Sequence, residues 1–499
     1  MTKIKKMTKM TKIINTESSD NFVNFARFRR FCQLQKGSTL IFTAIVIFIF
    51  SMVMLAVLSY ATSQLRLVRS TIAREQAFQI AEAGVNYYEW HLAHFVSDYY
   101  DGNASSTSPG PYVHDYYDKD TNIKIGQYSL IVTPPSVGST IVTIKSTGYT
   151  SINPNTKRTI TVRYGVPSLA KYAFLTNSDV WIGGTESVSG PMHANGGIRF
   201  DGTGNAPITS AKNTYTCQGW SGSPCPATKN GVWGSAAAST QAFWSFPQPN
   251  VDFSAITSDL SSMKSSAQTN GIYLAPSNAQ GYSLVFNLSG TISIYKVTSL
   301  RSDPTGWDVN GVSHNEDIDY NARTKLDGDT TTPGTQDYQM PVNGVIYIED
   351  RVWVEGTVKG RVLVAAAKLP YNSNTAPSIV VANNLVYAAK DGTNVLGLIG
   401  QKDILLAYYA PNNLEIDAAL IAQNGSAQMW NFSKTFSNLT IYGAVSSFGV
   451  WTWSWVSGST CISGYCNTFT TYDSNLLYGP PPSFPLSSDG YTQISWNSD

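Results

Sequence analysis

Charge is what this chain has least of. Charged side chains make up 13% of its 499 residues, against about a quarter in ordinary soluble domains. There are five cysteines and five histidines, and no Walker loop, HExxH or GxSxG motif. From Val166 to Gly449 helical periodicity is hard to find. Basic residues cluster only at the N-terminus, where residues 1–37 carry nine Lys and Arg against Glu17 and Asp20. With the whole chain at +1, the remainder stands at −6. A mildly acidic body excludes a general phosphate-binding surface, because non-specific nucleic-acid affinity comes from clustered Lys and Arg. No nucleic-acid partner is expected. What remains is rich in Gly, Ser, Thr, Asn and Tyr, with 42% hydrophobic and 12% aromatic residues. That is ample for a folded core, favours strands and turns, and is common in exported bacterial surface proteins.

One long apolar run is present. Leu40 to Leu58 is enough to cross a hydrocarbon layer of ~30 Å as a helix, and the basic residues before it place the N-terminus in the cytoplasm and everything after about Ser63 outside. The expected location is the bacterial cytoplasmic membrane, crossed once. The pattern does not stop at the membrane. Leu65, Val68, Ile72, Phe78, Ala81, Val85, Tyr88 and Leu92 recur at three- and four-residue steps without an intervening proline, so a single helix of about fifty-five residues is predicted. By residue type alone this is a signal-anchor with an amphipathic extension.

The wording of that segment says more. "KGSTLIFTAIVIFIF" followed by "REQAFQIAEAG" resembles the N-terminal region of the PilX family of type IV pilin-like proteins. The resemblance covers about sixty residues, from Lys36 to Phe95. It implies a basic leader ending at Gly37, removed on the cytoplasmic face by a prepilin peptidase, with Ser38 as the new N-terminus. It also implies an apolar helix that is kept to pack against other pilins or pseudopilins, and a downstream signature at Ala77, Phe78, Ala81, Glu82, Ala83 and Gly84. One position departs from the pattern. Major pilins carry Glu at the fifth mature residue, where it neutralises a neighbour's amine inside an apolar bundle; here Phe42 stands there. The departure argues against a bulk filament subunit and leaves a tip, initiating or membrane-retained role.

After the helix, residues 97–122 read as a polar loop. "QYSLIVT", "TIVTIKSTGYT" and "RTITVRYG" alternate as strands, and a small antiparallel sheet is expected to cover the C-terminal half of the helix. From Val166 onward short β-rich runs recur between Asn and Gly turns, spaced as in the rungs of a parallel β-helix; a β-sandwich of hairpins is the competing reading. The fold class is therefore α+β: leader 1–37, helix 38–95, loop and small sheet 96–165, β-solenoid 166–450, and C-terminal cap or tail 451–499.

Candidate sites are few. Cys217 with Cys225, and Cys461 with Cys466, read as two local disulfides in Gly/Ser-rich loops of an exported protein, since their spacing does not suit a zinc knuckle. His91 and His94 share a helix face but lack a third ligand at a suitable spacing, and His193 reads as a rung-corner residue. No cofactor is expected, with one Ca²⁺ candidate: Glu316, Asp317, Asp319, Asp327 and Asp329 gather hard oxygens without the EF-hand order, so a solvated loop is the plainer reading. Trp451, Trp453 and Trp455 alternate, which puts them on one strand face. Such a row either stacks on sugar rings or a partner surface, or caps an open end of the core. Three classes of function follow. The first is a minor pilin-like surface protein for filament assembly or adhesion to a host or abiotic surface. The second is a membrane-tethered β-helix enzyme or binding protein acting on extracellular polysaccharide, and the third an uncut envelope protein.

Overall fold

The computed structural model describes residues 38–103, 108–253, 255–302, 305–328, 336–458, 460–487 and 490–499. Gly37 and the rest of the leader lie outside the described residues. The first element is helix α1, Ser38–His94, close to the predicted length. Its two halves live in different surroundings. Every described side chain from Thr39 to Ile72 is exposed, whereas Ala73, Ala77, Ile80, Ala81, Val85, Tyr88 and Leu92 are buried.

The buried half lies on a five-stranded antiparallel sheet. Strands β1 (Tyr112–Tyr117), β2 (Lys124–Thr133), β3 (Ile141–Thr150) and β4 (Lys157–Gly165) pair in that order, and the final strand, Thr492–Ser498, pairs with β4. Three strands stand where the alternation placed them. β1 lies inside the segment read as a polar loop; it turns Tyr112, His114 and Tyr116 inward and pairs only at the sheet edge. The last strand comes from the segment read as a cap or tail. Leu130, Val132, Val142, Ile144, Ile160 and Val162 form the face under α1.

Close approach here requires small residues. A Cβ on Gly148 of β3 would stand 2.2 Å from the Ala77 carbonyl oxygen and 2.4 Å from the Ala81 nitrogen. One on Gly84 would stand 2.4 Å from Ser146 Oγ and 2.7 Å from the Tyr128 ring. Ala77, Ala81 and Gly84 are spaced four and three apart, so they share one helical face. That face is the contact with the sheet.

Most of the rest of the chain is a stack of short strands paired in parallel, with antiparallel hairpins at its margins such as Gly281–Phe286 with Thr291–Val297 and Ser454–Ser457 with Thr460–Tyr472. One ladder runs Ile272–Leu274, Val345–Ile348, Arg361–Ala366, Val395–Gly400, Asn413–Ala422 and Thr435–Ser447. It does not end there. Thr435–Ser447 pairs in parallel with Phe174–Thr176, which is followed by Met192–Ala194, Ile208–Ser210 and Trp244–Ser245. The chain therefore enters the stack in the middle, winds to one end, crosses back, and winds up to meet its own beginning. At a corner Asn413, Asn438 and Asn467 stand in register, each side-chain amide donating to the next side-chain oxygen at 2.9 and 3.2 Å.

Helix α2, Ala255–Asn270, makes the crossing. At one end the Asn195 amide exchanges two 2.8 Å hydrogen bonds with the backbone of Val251, and at the other Asn343 donates to the Ser266 carbonyl at 2.9 Å. Six ladder steps separate these levels. At ~4.8 Å per step that is ~29 Å, which the ~24 Å rise of the helix and a short extended lead-in span. Leu260, Met263 and Ala267 cover the outer face of the first ladder at Val345, Tyr347, Leu363 and Ala365. Both faces of those strands are thus buried, which explains the unbroken apolar run "VLVAAA".

Two chain segments join the stack to the small sheet, and they are laced together. The Ser168 amide donates to Leu477 O at 2.8 Å and the Leu169 amide to Pro485 O at 2.9 Å. Arg361 reaches out of the stack to the carbonyls of Gly138 (2.8 Å), Gly479 (2.6 Å) and Pro480 (2.6 Å).

The contact of α1 with the sheet is the most sensitive point of this architecture. Gly148→Ala should lower stability by about 1–3 kcal/mol, because the added methyl meets backbone rather than a movable side chain. Thermal denaturation followed by circular dichroism, with an exposed Gly→Ala change as control, measures it; an unchanged midpoint would mean that α1 can lift off the sheet without loss.

Candidate functional site

Two surfaces stand out. The first is the uncovered half of α1, long and apolar enough to cross a membrane. Several of its hydroxyls are satisfied within the helix: Thr43 Oγ1 donates to Thr39 O at 2.9 Å and Ser51 Oγ to Ile47 O at 2.7 Å. A helix with its backbone and many of its hydroxyls paired internally is suited to hydrocarbon surroundings. Phe42 is exposed on it, as are Leu40, Ile41 and Ile45.

The second surface is a cleft where the stack meets its own beginning. On the first ladder the join is continuous, Val445 opposite Phe174. On another face it is also continuous, Thr468 to Thr471 opposite Glu186 to Ser189. Between these faces the strands Trp451–Thr452 and Val180–Ile182 belong to different sheets. A cavity of about 410 Å³ opens there, lined among others by Trp181, Trp220, Trp451, Trp453 and Trp455.

Each indole is held differently. Trp451 and Trp453 are buried and meet edge to face at 6.2 Å, with Trp451 also 4.7 Å from Phe174. Trp455 is half-buried and its Nε1 donates to Met429 O at 2.9 Å. The alternating row therefore lies inside the stack, not at an open end. Trp181 Nε1 donates to Asp201 Oδ2 at 2.8 Å, and the Arg199 guanidinium lies 4.6 Å from its ring. Trp220 is the most open, at 48% exposure.

Both disulfides frame this cleft. Cys217–Cys225 closes the loop bearing Trp220, with Cα atoms 5.5 Å apart, and Arg199 pulls the same loop in by donating to the carbonyls of Ser221 and Ser223. Cys461–Cys466, with Cα atoms 5.7 Å apart, braces the strand Thr460–Tyr472 that pairs with Ser454–Ser457 and so carries Trp455. In the cleft wall Glu186 is 9% exposed and accepts a hydrogen bond from the Gly183 amide at 2.6 Å. Burial pushes its carboxyl up to about 8, against the pull of that hydrogen bond. Sequence reasoning found the three alternating tryptophans and the cysteines; Glu186, Trp181 and Trp220 carry no local pattern and become neighbours only through the join.

Comparison with known proteins bears on the first surface. Residues 36–86 match the family described as PilX N-terminal. The helix is PilX-like. Among curated proteins none matches the chain. Among solved structures, the competence-associated pilin ComZ from Thermus thermophilus aligns over 86% of this chain and 97% of that one, at 13% identity and a TM-score of 0.34. At that score the likeness carries no inference. In the PilX-like segment Ala77, Ala81 and Gly84 make the contact with the sheet described above, Phe78 packs at its edge, and Glu82 and Ala83 are half-buried.

The other residues singled out by sequence do not converge. His91 pairs with Asp98 at 3.0 Å, while His94 faces the Trp90 carbonyl at 2.8 Å. His193 is buried in a strand between Thr209 Oγ1 (2.9 Å) and Asn195 Oδ1 (3.1 Å), and burial lowers its basicity. Of the acidic loop, Glu316 pairs with Arg351 at 2.9 Å and Asp317 accepts from the Tyr408 amide at 3.0 Å. Asp319 accepts from the Asn321 amide and Asp327 from that of Gln336. Asp329 lies outside the described residues. Among the described residues no three His, Cys, Asp or Glu side chains are grouped to hold a metal ion.

Glu186 makes the cleft wall pH-sensitive. Its folded-state value lies above the ordinary 4.5, so between about pH 4.5 and 8 the folded chain keeps a proton that the unfolded chain releases, and stability falls as pH rises. Glu186→Gln should flatten this dependence, gaining about 1–3 kcal/mol on the parent at pH 8 relative to pH 5. Chemical denaturation at the two pH values decides it; parallel curves for parent and variant would contradict the assignment.

Proposed function

We propose that this chain is a minor pilin-type subunit, cut after Gly37, that carries its strand stack outside the cell for filament assembly or surface adhesion. The observation that supports the reading best is the division of α1. One continuous helix presents an uncovered apolar half followed by a half fixed to a folded sheet by its PilX-like signature. Such a helix serves first as a membrane anchor and afterwards, once the basic leader is gone, as a packing surface for the same half-helix of other pilins. Prepilin peptidase and other pilins or pseudopilins are the partners this requires.

Phe42 supports a particular position for the subunit within that scheme. With no carboxylate at the fifth mature position, the chain does not offer a neighbour's N-terminal amine a counter-charge, and an unpaired charge in an apolar bundle is costly. A position with no subunit above it, at a tip or in an initiating complex, removes the need.

The experiment is the N-terminal residue of the protein taken from its native membrane, by intact mass. A chain beginning at Ser38 is expected when prepilin peptidase is present, with the intact leader retained in its absence and in a Gly37→Val variant. An intact leader in peptidase-positive cells would reduce α1 to an ordinary anchor.

A further inference from the structure

The cleft at the join of the stack has the composition of a ligand site, and its chemistry is selective. Its lining has five tryptophans and the hydroxyls of Thr452 and Ser454. Among the described residues its only ionisable lining group is Glu186, and no Lys or Arg lines it. Arg199, the nearest cation named above, sits over the Trp181 ring, salt-bridged to Asp201 at 2.7 Å and bound to loop carbonyls. Phosphate, carboxylate and sulfate ligands would find no counter-charge there.

We propose that this cleft binds a neutral carbohydrate, seating one or two pyranose rings against the tryptophan walls, with Glu186 and the Thr452 and Ser454 hydroxyls exchanging hydrogen bonds with ring hydroxyls. Three features support it. Pyranose rings have apolar C–H faces and polar rims, which suits flat indoles beside a few hydrogen-bonding groups. A volume of about 410 Å³ lies at the small end of ligand pockets, which run to ~300–1,000 Å³. The rim is also preorganised. Trp220 rides on the loop closed by Cys217–Cys225, and Trp455 lies on a strand paired with the one that Cys461–Cys466 braces, so little freedom is lost when a ligand orders them.

The protonation of Glu186 agrees with a neutral occupant. A carboxyl kept protonated at neutral pH both donates to and accepts from a hydroxyl, whereas a quaternary ammonium ligand, the other guest that tryptophan walls favour, would be served by an ionised one. An inserted peptide strand is less suited. The ladders on both sides of the cleft are continuous across the join, which leaves one strand spacing where an added strand needs two. The inference does not rest on the pilin reading, since the cleft belongs to the stack and binding is independent of whether residue 38 begins the mature chain.

The test is tryptophan fluorescence titration and calorimetry on the full chain in a polyoxyethylene detergent, which carries no sugar. The probes are neutral di- and trisaccharides of glucose, galactose, mannose and N-acetylglucosamine, with a glucuronic-acid disaccharide and tetramethylammonium as charged counterparts. Saturable binding of at least one neutral saccharide is expected, weakened at least tenfold by Trp220→Ala and by Trp455→Ala with unchanged melting temperature. The charged counterparts should bind at least tenfold more weakly. No saturable binding by any neutral probe, equal binding by both rim variants, or a preference for tetramethylammonium or the uronate would each overturn the proposal. Should either rim variant melt lower, Glu186→Gln, which keeps the size and polarity of the side chain, serves as the second variant, with a measurable change in affinity expected and none counting against the site.

Discussion

The parallel pairing of Thr435–Ser447 with Phe174–Thr176 is the contact on which the stack depends. Each short strand buries its apolar side only when a neighbour lies above and below it. Without this pairing and its companion, that of Thr468–Thr471 with Glu186–Ser189, the chain would be two separate stacks, each with an unpaired edge of the kind that invites aggregation. With it, the coils that come late in the sequence continue into those that come early. The contacts are far apart along the chain, so loop closure must precede them and formation is expected to be slow. Helix α2 and the linker segments give the same join a second layer of support. They cover the outer face of the ladder along which it runs.

The join also accounts for the tryptophan cleft. Two faces of the stack pass through it without interruption, but on the face of Trp451–Thr452 the sheets part. Large indoles fill the opening from inside, and two disulfide-braced segments border it from outside. A buried carboxyl at such a place is consistent with desolvation by the surrounding coils rather than with a nearby negative charge, since burial is the dominant cause of its raised value.

How much of this could be read from the residues depended on how local the signal was. The length of α1 was legible because its periodicity is uninterrupted, and the sheet strands from Lys124 to Gly165 because alternation and turn residues bracket each one. The cysteine pairs were legible because each partner lies within a short loop. The pilin-type signature was recognisable, yet its physical reason was not: Ala77, Ala81 and Gly84 are small because of Gly148 and Tyr128, and those come from strands that sequence spacing does not set against the helix. The parallel course of the later strands could be inferred from their spacing, but not the order of the coils, since nothing near Phe174 announces that Val445 will lie beside it. For the same reason the alternation at Trp451, Trp453 and Trp455 is legible in the sequence, whereas Trp181 and Trp220, which share their cleft, carry no signal of it.

The double linker has a mechanical consequence. Tension drawn through α1 would pass into the small sheet, and from β4 and the final strand it would reach the stack by two segments that run side by side and are hydrogen-bonded to each other. Both attach near the join, in the interior of the stack, and Arg361 ties a third point to the same place. The terminal coils would then lie outside the load path. A pull would be shared across parallel attachments instead of peeling one strand after another from an end, so the stack is held as a handle holds a vessel, by its middle and from both sides.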